Sequence, residues 1–196
     1  MTEEVDTGRR HFLTVATIAT GAVGAAFVAV PFLASWKPSA RAKAMGAPVE
    51  VDVSKLEPGA MLKVEWRGKA IFIVNRTPQM LAQIEGVDGE LRDPGSNESE
   101  QPEFAKNPAR ALKPEYLVLV GVCTHLGCAP LDKFSKGDVT VGADWPGGFF
   151  CPCHGSKFDM SGRVFKDVPA PTNLAVPPYQ FVSDTRILIG AEKGIA

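Results

Sequence analysis

Two short boxes contain all four cysteines and two of the three histidines of this 196-residue chain. The first box runs Cys-Thr-His-Leu-Gly-Cys over residues 123–128, and the second runs Cys-Pro-Cys-His-Gly-Ser over residues 151–156. Thiolates and imidazoles hold iron–sulfur clusters and zinc, so this segregation predicts a metal site. Two structural disulfides would use the same cysteines but would leave the histidine spacing without a role. The chain must therefore fold so that two loops meet around a metal centre.

The ligand types in the boxes favour an iron–sulfur cluster over zinc. A structural zinc ion typically sits in a closed tetrahedron of Cys-x-x-Cys pairs. Each box here combines cysteine with one histidine, His125 in the first and His154 in the second. Two thiolates on one iron and two imidazoles on the other form a known [2Fe–2S] arrangement. One thiol per box is then spare, and outside the cytoplasm two such thiols are expected to form a disulfide. Spacing alone leaves open which cysteine of each box is the ligand.

The paired boxes resemble those of the Rieske iron–sulfur subunits of ubiquinol–cytochrome c reductase, the cytochrome bc-type complex of respiratory membranes. The resemblance extends over nearly the whole chain and includes an arginine pair, an apolar segment and the stretch Pro169-Ala170-Pro171. It implies one [2Fe–2S] cluster per subunit, with Cys123 and Cys151 on one iron and His125 and His154 on the other.

The resemblance also implies roles for residues around the cluster. Cys128 and Cys153 would form a disulfide that ties the two boxes together. His154 would meet the quinol hydroxyl and accept its proton, and Leu126 with Gly127 would belong to the docking tip.

Two further positions follow the second box. By the same resemblance, the Ser156 hydroxyl would donate a hydrogen bond to a bridging sulfide and so raise the reduction potential. Phe158 departs from the family, because many relatives have a tyrosine there whose hydroxyl supports a ligand cysteine.

The function implied by the resemblance is electron transfer. The chain would accept one electron, with a proton, from ubiquinol at the cytochrome b interface and pass the electron to a c-type cytochrome. Its partners would be the cytochrome b and cytochrome c1 subunits of a dimeric complex, and the isolated chain would not turn over. One alternative is a small Rieske subunit of another periplasmic oxidoreductase, without cytochrome b; another is a zinc-binding structural module. The net charge of −1 and the lack of a basic run with aromatics argue against nucleic-acid binding.

The N-terminal part contains a candidate membrane span. The 26 residues between Arg10 and Lys37 include no acidic residue, lysine or arginine. About 20 helical residues cross the ~30 Å hydrocarbon core, so residues 12–36 are long enough. A buried helix of a soluble domain is the alternative, and the length and missing polar stripe argue against it.

The pair Arg9-Arg10 before this segment resembles a twin-arginine export signal. We expect the signal to be retained, because no small-x-small cleavage site directly follows the apolar segment. Ala40, Ala42 and Ala44 come later and leave cleavage open. With retention, the chain would cross the cell inner membrane once, with its N-terminus in the cytoplasm and its head in the periplasm.

These observations divide the chain into four parts. Residues 1–11 would be cytoplasmic, 12–36 the transmembrane anchor, 37–48 a linker and 49–196 the periplasmic head, with the cluster-binding part at about 121–160. Composition leaves the linker open as a hinge or an ordinary connection, and the resemblance favours a hinge.

The predicted fold is mostly β: one transmembrane helix followed by a Rieske-type antiparallel β head with a small cluster-binding subdomain. Alternation and turn residues predict two hairpins, one buried strand before the first box and one helix. The acidic segment 85–103 is predicted to be an exposed, solvated loop, and a partner surface is the alternative. The predicted elements are strands 61–66 and 70–74 around Arg67-Gly68-Lys69, strand 116–122, strands 180–182 and 186–189, and a helix over 78–85 capped by Thr77.

Overall fold

The computed structural model describes residues 6–190, so the ends of the predicted cytoplasmic segment and of the head, 1–5 and 191–196, lie outside the described residues. The chain divides into two compact units between Ala44 and Met45.

The N-terminal unit contains the predicted apolar helix as α1 (Thr7–Ser35), 29 residues long. The Asp6 carboxylate caps its start by accepting hydrogen bonds from two N–H groups of the first turn. The helix has a mean hydropathy of 2.0 over its most apolar 18 residues, and its length and composition are sufficient to cross a membrane. The hydroxyls of Thr14, Thr17 and Thr20 donate to carbonyls of the same helix, so those donors are satisfied in an apolar environment.

A short second helix, α2 (Ala40–Met45), lies within the predicted linker. The Ser39 hydroxyl oxygen accepts a hydrogen bond from the Ala42 N–H at 3.1 Å, which satisfies one donor at the helix start. The linker therefore has helical structure, and its role as a hinge stays a prediction.

The head confirms the predicted antiparallel β fold. Up to residue 190, its strands form three three-stranded antiparallel sheets, in the orders β1-β9-β8, β2-β3-β4 and β5-β6-β7. The strands are β1 (Val49–Asp52), β2 (Met61–Trp66), β3 (Lys69–Asn75), β4 (Tyr116–Val120), β5 (Leu131–Lys133), β6 (Gly148–Phe150), β7 (Lys157–Phe158), β8 (Tyr179–Ser183) and β9 (Arg186–Ile189).

The sheet β2-β3-β4 carries much of the core and leads into the first box. Its hairpin turn has two residues, Arg67 and Gly68, with φ of 51° and 70°. Two positive φ values give the tight turn whose twist suits a hairpin, and this turn is one residue shorter than predicted. Strand β4 ends at Val120, and Gly121 follows it against the ring of Phe72, where any Cβ would overlap that ring. The chain can therefore pass closely over the core just before the box.

The other two sheets differ in how well the sequence predicted them. The closing hairpin β8–β9 is confirmed, with β1 added on its free side. The small sheet β5-β6-β7 was not predicted, and it carries the boxes: the first box precedes β5 and the second connects β6 to β7.

The one predicted helix is present as α3 (Pro78–Ala82), capped by Thr77 and shorter than expected. Two single-turn 3-10 helices follow at Asp88–Glu90 and Glu103–Ala105.

The acidic segment is not simply a solvated loop, and that prediction is wrong at its centre. Asp93 is only 6% exposed. Its carboxylate accepts hydrogen bonds from the N–H groups of Asn97 and Glu98 and from the Ser99 hydroxyl. Internal hydrogen bonds therefore satisfy this charge, and the segment packs against the head.

Candidate metal centre

The two boxes fold into loops with the same internal hydrogen bonding. In loops 123–128 and 151–156, the N–H of the first residue donates to the carbonyl of the last at 2.8 Å. The glycine N–H donates to the carbonyl of the first residue, at 3.0 Å from Gly127 and 2.9 Å from Gly155. Both glycines have a left-handed φ, 87° and 78°, which a residue with a Cβ rarely adopts. The boxes are thus two similar turns that end in the small sheet.

The four cysteine sulfurs divide into one disulfide-bonded pair and one pair of free thiols. Cys128 and Cys153 form a disulfide that joins the two loops, as the resemblance implied. Cys123 and Cys151 are free thiols, each 2% exposed.

A different grouping of sulfurs exists but cannot act as a ligand set. The Sγ atoms of Cys128, Cys151 and Cys153 lie within 4.8 Å of one another. Two of these three atoms are bonded to each other in the disulfide, and only a thiolate binds metal strongly. Cys123 and Cys151 are therefore the cysteines available to a metal.

The two histidines of the boxes lie side by side at the surface. The ring centroids of His125 and His154 are 4.7 Å apart, and the rings are nearly perpendicular at 84°. His125 is partly buried and His154 is exposed. Two buried thiols and two neighbouring imidazoles fit the donor set of a mixed cysteine–histidine [2Fe–2S] cluster.

The surroundings of the Cys123 sulfur determine how readily this thiol loses its proton. Burial raises the pKa of the Cys123 thiol, and the neighbouring Cys151 thiol adds to this rise. The backbone N–H of His125 and the Ser156 hydroxyl oppose the rise by hydrogen bonding to the sulfur. Two adjacent thiolates in such a pocket need compensating positive charge, and a metal supplies it.

Residues 169–172, which include the proline-rich stretch, hydrogen-bond to both loops. Ser156 is completely buried, and its hydroxyl oxygen accepts a hydrogen bond from the Ala170 N–H at 3.0 Å. That contact leaves the hydroxyl proton free to point at the Cys123 sulfur. In the first loop, the Thr124 hydroxyl donates to the Thr172 carbonyl at 2.7 Å. The proline-rich stretch and Thr172 directly after it therefore each hold one side chain of a box.

The remaining predicted site residues occupy the tip and the core. Leu126 is 72% exposed, and Gly127 next to it is also exposed. Phe158 is completely buried in β7, in the same core cluster as Cys123 and Cys151. The structure thus retains a packed ring at the position where many family members have tyrosine.

Sequence reasoning missed a group of buried arginines that bond to the turn after β7. Arg76, Arg110 and Arg163 are each at most 2% exposed. Arg163 pairs with the buried Asp159 at 2.7 Å, four residues earlier in the chain. The Asp-x-x-x-Arg spacing was available as a signal, whereas nothing local to Arg76 or Arg110 distinguishes them from surface arginines.

Comparison with known protein families gives two matches. Residues 47–179 match the family model described as the Rieske [2Fe-2S] domain. Residues 1–39 match the one described as the ubiquitinol-cytochrome C reductase Fe-S subunit TAT signal.

Curated relatives match over almost the full length. The ubiquinol–cytochrome c reductase iron–sulfur subunit of Allochromatium vinosum is 56% identical over 96% of this chain and 91% of its own length. The subunit of the same name from Blastochloris viridis is 49% identical over 93% of each chain. Among solved structures, a chain of a hyperthermophilic respiratory Complex III aligns with a TM-score of 0.48 and 25% identity, covering 89% of this chain and 98% of that one.

Proposed function

This chain belongs to the family of Rieske iron–sulfur subunits of ubiquinol–cytochrome c reductase, and from that membership we propose how its residues act. As in the family, its role is electron transfer through a [2Fe–2S] cluster, as a catalytic component of a quinol–cytochrome c reductase. The observation that carries the proposal is that the same two loops hold two adjacent imidazoles and two buried free thiols.

The proposed ligand set is Cys123 and Cys151 on one iron and His125 and His154 on the other. The disulfide supports this set, because it removes the other two sulfurs from competition. When bound, the cluster supplies a one-electron acceptor that no side chain of the chain provides. The loops hold the ligands in place, while burial of the thiols keeps water away from the sulfur side.

We assign proton transfer to His154. Its imidazole is exposed, so its outer nitrogen can accept a hydrogen bond from a quinol hydroxyl and then take the proton. An imidazole on ferric iron loses its outer proton more readily than one on ferrous iron, which couples proton uptake to reduction. The exposed Leu126 and Gly127 would contact the partner subunit beside this histidine and exclude water from the contact.

The proposed setting is the cell inner membrane. The match to a TAT signal over residues 1–39 and the apolar helix support a membrane-anchored subunit. We propose that the head is periplasmic, that residues 37–48 act as a hinge, and that cytochrome b and cytochrome c1 are the partner subunits in a dimeric complex.

The test is electron paramagnetic resonance (EPR) on membranes that contain the full chain, with and without an inhibitor of the quinol-oxidising site. We expect the inhibitor to change the line shape of the reduced cluster, because the imidazole edge meets the quinol site. Leu126→Ala should reduce this change. Val139→Ala is the matched control, since Val139 is an exposed aliphatic residue on another loop, 93% exposed. A line shape that no inhibitor alters, in a protein that purifies without haem b, would instead favour a Rieske subunit of another periplasmic oxidoreductase.

A further inference from the structure

We propose that Asp93 is a positioning residue for the metal centre, and that it holds the first box through a chain of hydrogen bonds that ends at Thr124. Asp93 lies in the acidic segment 85–103, and the described hydrogen bonds of its carboxylate stay within that segment. Thr124 lies between Cys123 and His125, the two proposed ligands of the first box. The inference rests on that proposed ligand set.

The chain of hydrogen bonds runs without a break from the first box to the carboxylate. The Thr124 hydroxyl donates to the Thr172 carbonyl at 2.7 Å. The N–H of the same peptide group, which belongs to Asn173, donates to the Ser99 hydroxyl oxygen at 3.1 Å. The Ser99 hydroxyl donates in turn to the Asp93 carboxylate at 3.0 Å. Three hydrogen bonds and one planar peptide group therefore connect a side chain of the box to a buried carboxylate.

All donors of this chain point in the same direction. A carbonyl oxygen and an ionised carboxylate can only accept hydrogen bonds, so both hydroxyl protons point away from the box and towards Asp93. Aligned hydrogen bonds polarise and strengthen one another by roughly 10–30% per bond in a protein interior. Asp93 is 6% exposed, so its carboxylate acts in such an interior. The negative charge at the end of the chain thus strengthens the bond that fixes Thr124.

The end of the chain at Asp93 is itself held by several hydrogen bonds. Asn173 is 1% exposed, and its side-chain oxygen accepts the Val164 N–H at 2.8 Å. Its side-chain nitrogen donates to the Asp93 carbonyl at 2.9 Å and to the Ser96 hydroxyl oxygen at 2.8 Å. Two backbone N–H groups of the acidic segment also bind the Asp93 carboxylate. Movement of Thr124 away from the chain would therefore not be followed by its partners.

Fixing Thr124 has a consequence for the neighbouring ligand sulfur. The peptide group that follows Thr124 carries the His125 N–H, and this N–H hydrogen-bonds to the Cys123 sulfur. Donors aimed at a ligand sulfur favour the more negative, reduced cluster and raise its potential. Once the chain is broken, the first box should hold this N–H less accurately on the sulfur, so the potential should fall.

The alternative is that Asp93 stabilises only its own turn. Ser99→Ala breaks the chain, because it removes both the acceptor of the Asn173 N–H and the donor to Asp93. Ser96→Ala is the matched control: Ser96 is a serine of the same segment, 4% exposed, that accepts from the Asn173 side chain and lies outside the chain. A stabilising role predicts that both variants lose stability and keep their potential. A positioning role predicts that Ser99→Ala alone also lowers the potential.

The experiment combines a redox titration of the full-length protein, followed by EPR, with hydrogen–deuterium exchange and mass spectrometry. For Ser99→Ala we expect the oxidised-to-reduced ratio to shift towards oxidised by at least about threefold, which is about 28 mV for one electron. Ser96→Ala should shift the ratio by less than about 1.8-fold, which is about 15 mV. The peptide that contains Asn173 should exchange faster in Ser99→Ala than in Ser96→Ala, because its N–H loses its acceptor.

A smaller shift in Ser99→Ala, an equal shift in Ser96→Ala, or unchanged exchange at Asn173 would overturn the inference. A failure of the proposed ligand set is distinguishable, since the wild-type protein would then lack a Rieske spectrum. If Ser99→Ala does not fold, Asp93→Asn carries the same test with the same two outcomes. Its amide replaces one carboxylate oxygen by a donor and cannot accept all three hydrogen bonds that the carboxylate receives.

Discussion

Replacing Ser156 by alanine should lower the cluster potential and the stability of the head for separate reasons. The hydroxyl sits between two partners: its oxygen accepts the Ala170 N–H at 3.0 Å, and its proton is available to the Cys123 sulfur. The first contact holds the proline-rich stretch, and the second stabilises negative charge on the sulfur side of the cluster.

The magnitudes follow from these two contacts. A hydrogen bond that strengthens on reduction is worth roughly 1–1.5 kcal/mol. Because a tenfold change is about 59 mV for one electron, its loss should lower the potential by about 40–65 mV. The buried Ala170 N–H would lose its acceptor, which should lower the free energy of unfolding by about 1–3 kcal/mol.

The assay is a redox titration of the full-length protein together with chemical denaturation. Ser161→Ala is the matched control: Ser161 is also completely buried, and its hydroxyl donates to the Pro108 carbonyl at 2.8 Å. This control should lose stability while the potential stays within about 15 mV of wild type, a quarter of the 59 mV that marks a tenfold change. An unchanged potential in Ser156→Ala would refute the orientation of the hydroxyl towards the sulfur.

Three further predictions concern the loops and the small sheet. Replacing Cys128 and Cys153 by serine should lower the free energy of unfolding by about 2–5 kcal/mol while the cluster still assembles in part; two free thiols at these positions in the mass spectrum of the native protein would contradict the disulfide. Phe158→Tyr should raise the midpoint potential without changing the ligands, and an unchanged or lower potential in voltammetry would mean that the new hydroxyl does not reach the cysteine sulfur. Gly148→Ala should reduce the iron content, because its Cβ would overlap the Phe158 carbonyl oxygen. Gly142→Ala is its control, with a similar φ (150° against 147°) and open space around the Cβ, and equal iron loss in both variants would point to φ strain alone.

The elements that the sequence predicted well are those with local causes. Thr77 caps α3 with Pro78 as its first residue, and the Arg67-Gly68 turn sets the hairpin, in both cases through residues adjacent in the chain. The strands of the small sheet have only two or three residues, too few for any alternation to be recognised. Their pairing depends on the loops that connect them, so it could not be predicted from sequence pattern.

The sequence predicts candidate ligands for the site, but it does not predict the residues that support them. The boxes identify the chemistry, but choosing among their cysteines depends on a disulfide between residues 25 positions apart. Asp93 lies in a segment with an acidic composition, yet turn N–H groups satisfy it inside the fold. The hydrogen-bond acceptors of Arg76 lie 33 to 85 residues away in the chain, so no local pattern could predict its burial.

The most direct test of the account is the identity of the two non-sulfur ligands. Pulsed EPR of the reduced full-length protein should detect couplings from two imidazole nitrogens, and His154→Ala should abolish the Rieske spectrum because no other donor can replace that ligand. His11→Ala is the matched control, since His11 lies on α1 rather than in either box, and this variant should keep the full spectrum. A normal Rieske spectrum in His154→Ala, or a native spectrum without nitrogen coupling, would contradict the proposed centre.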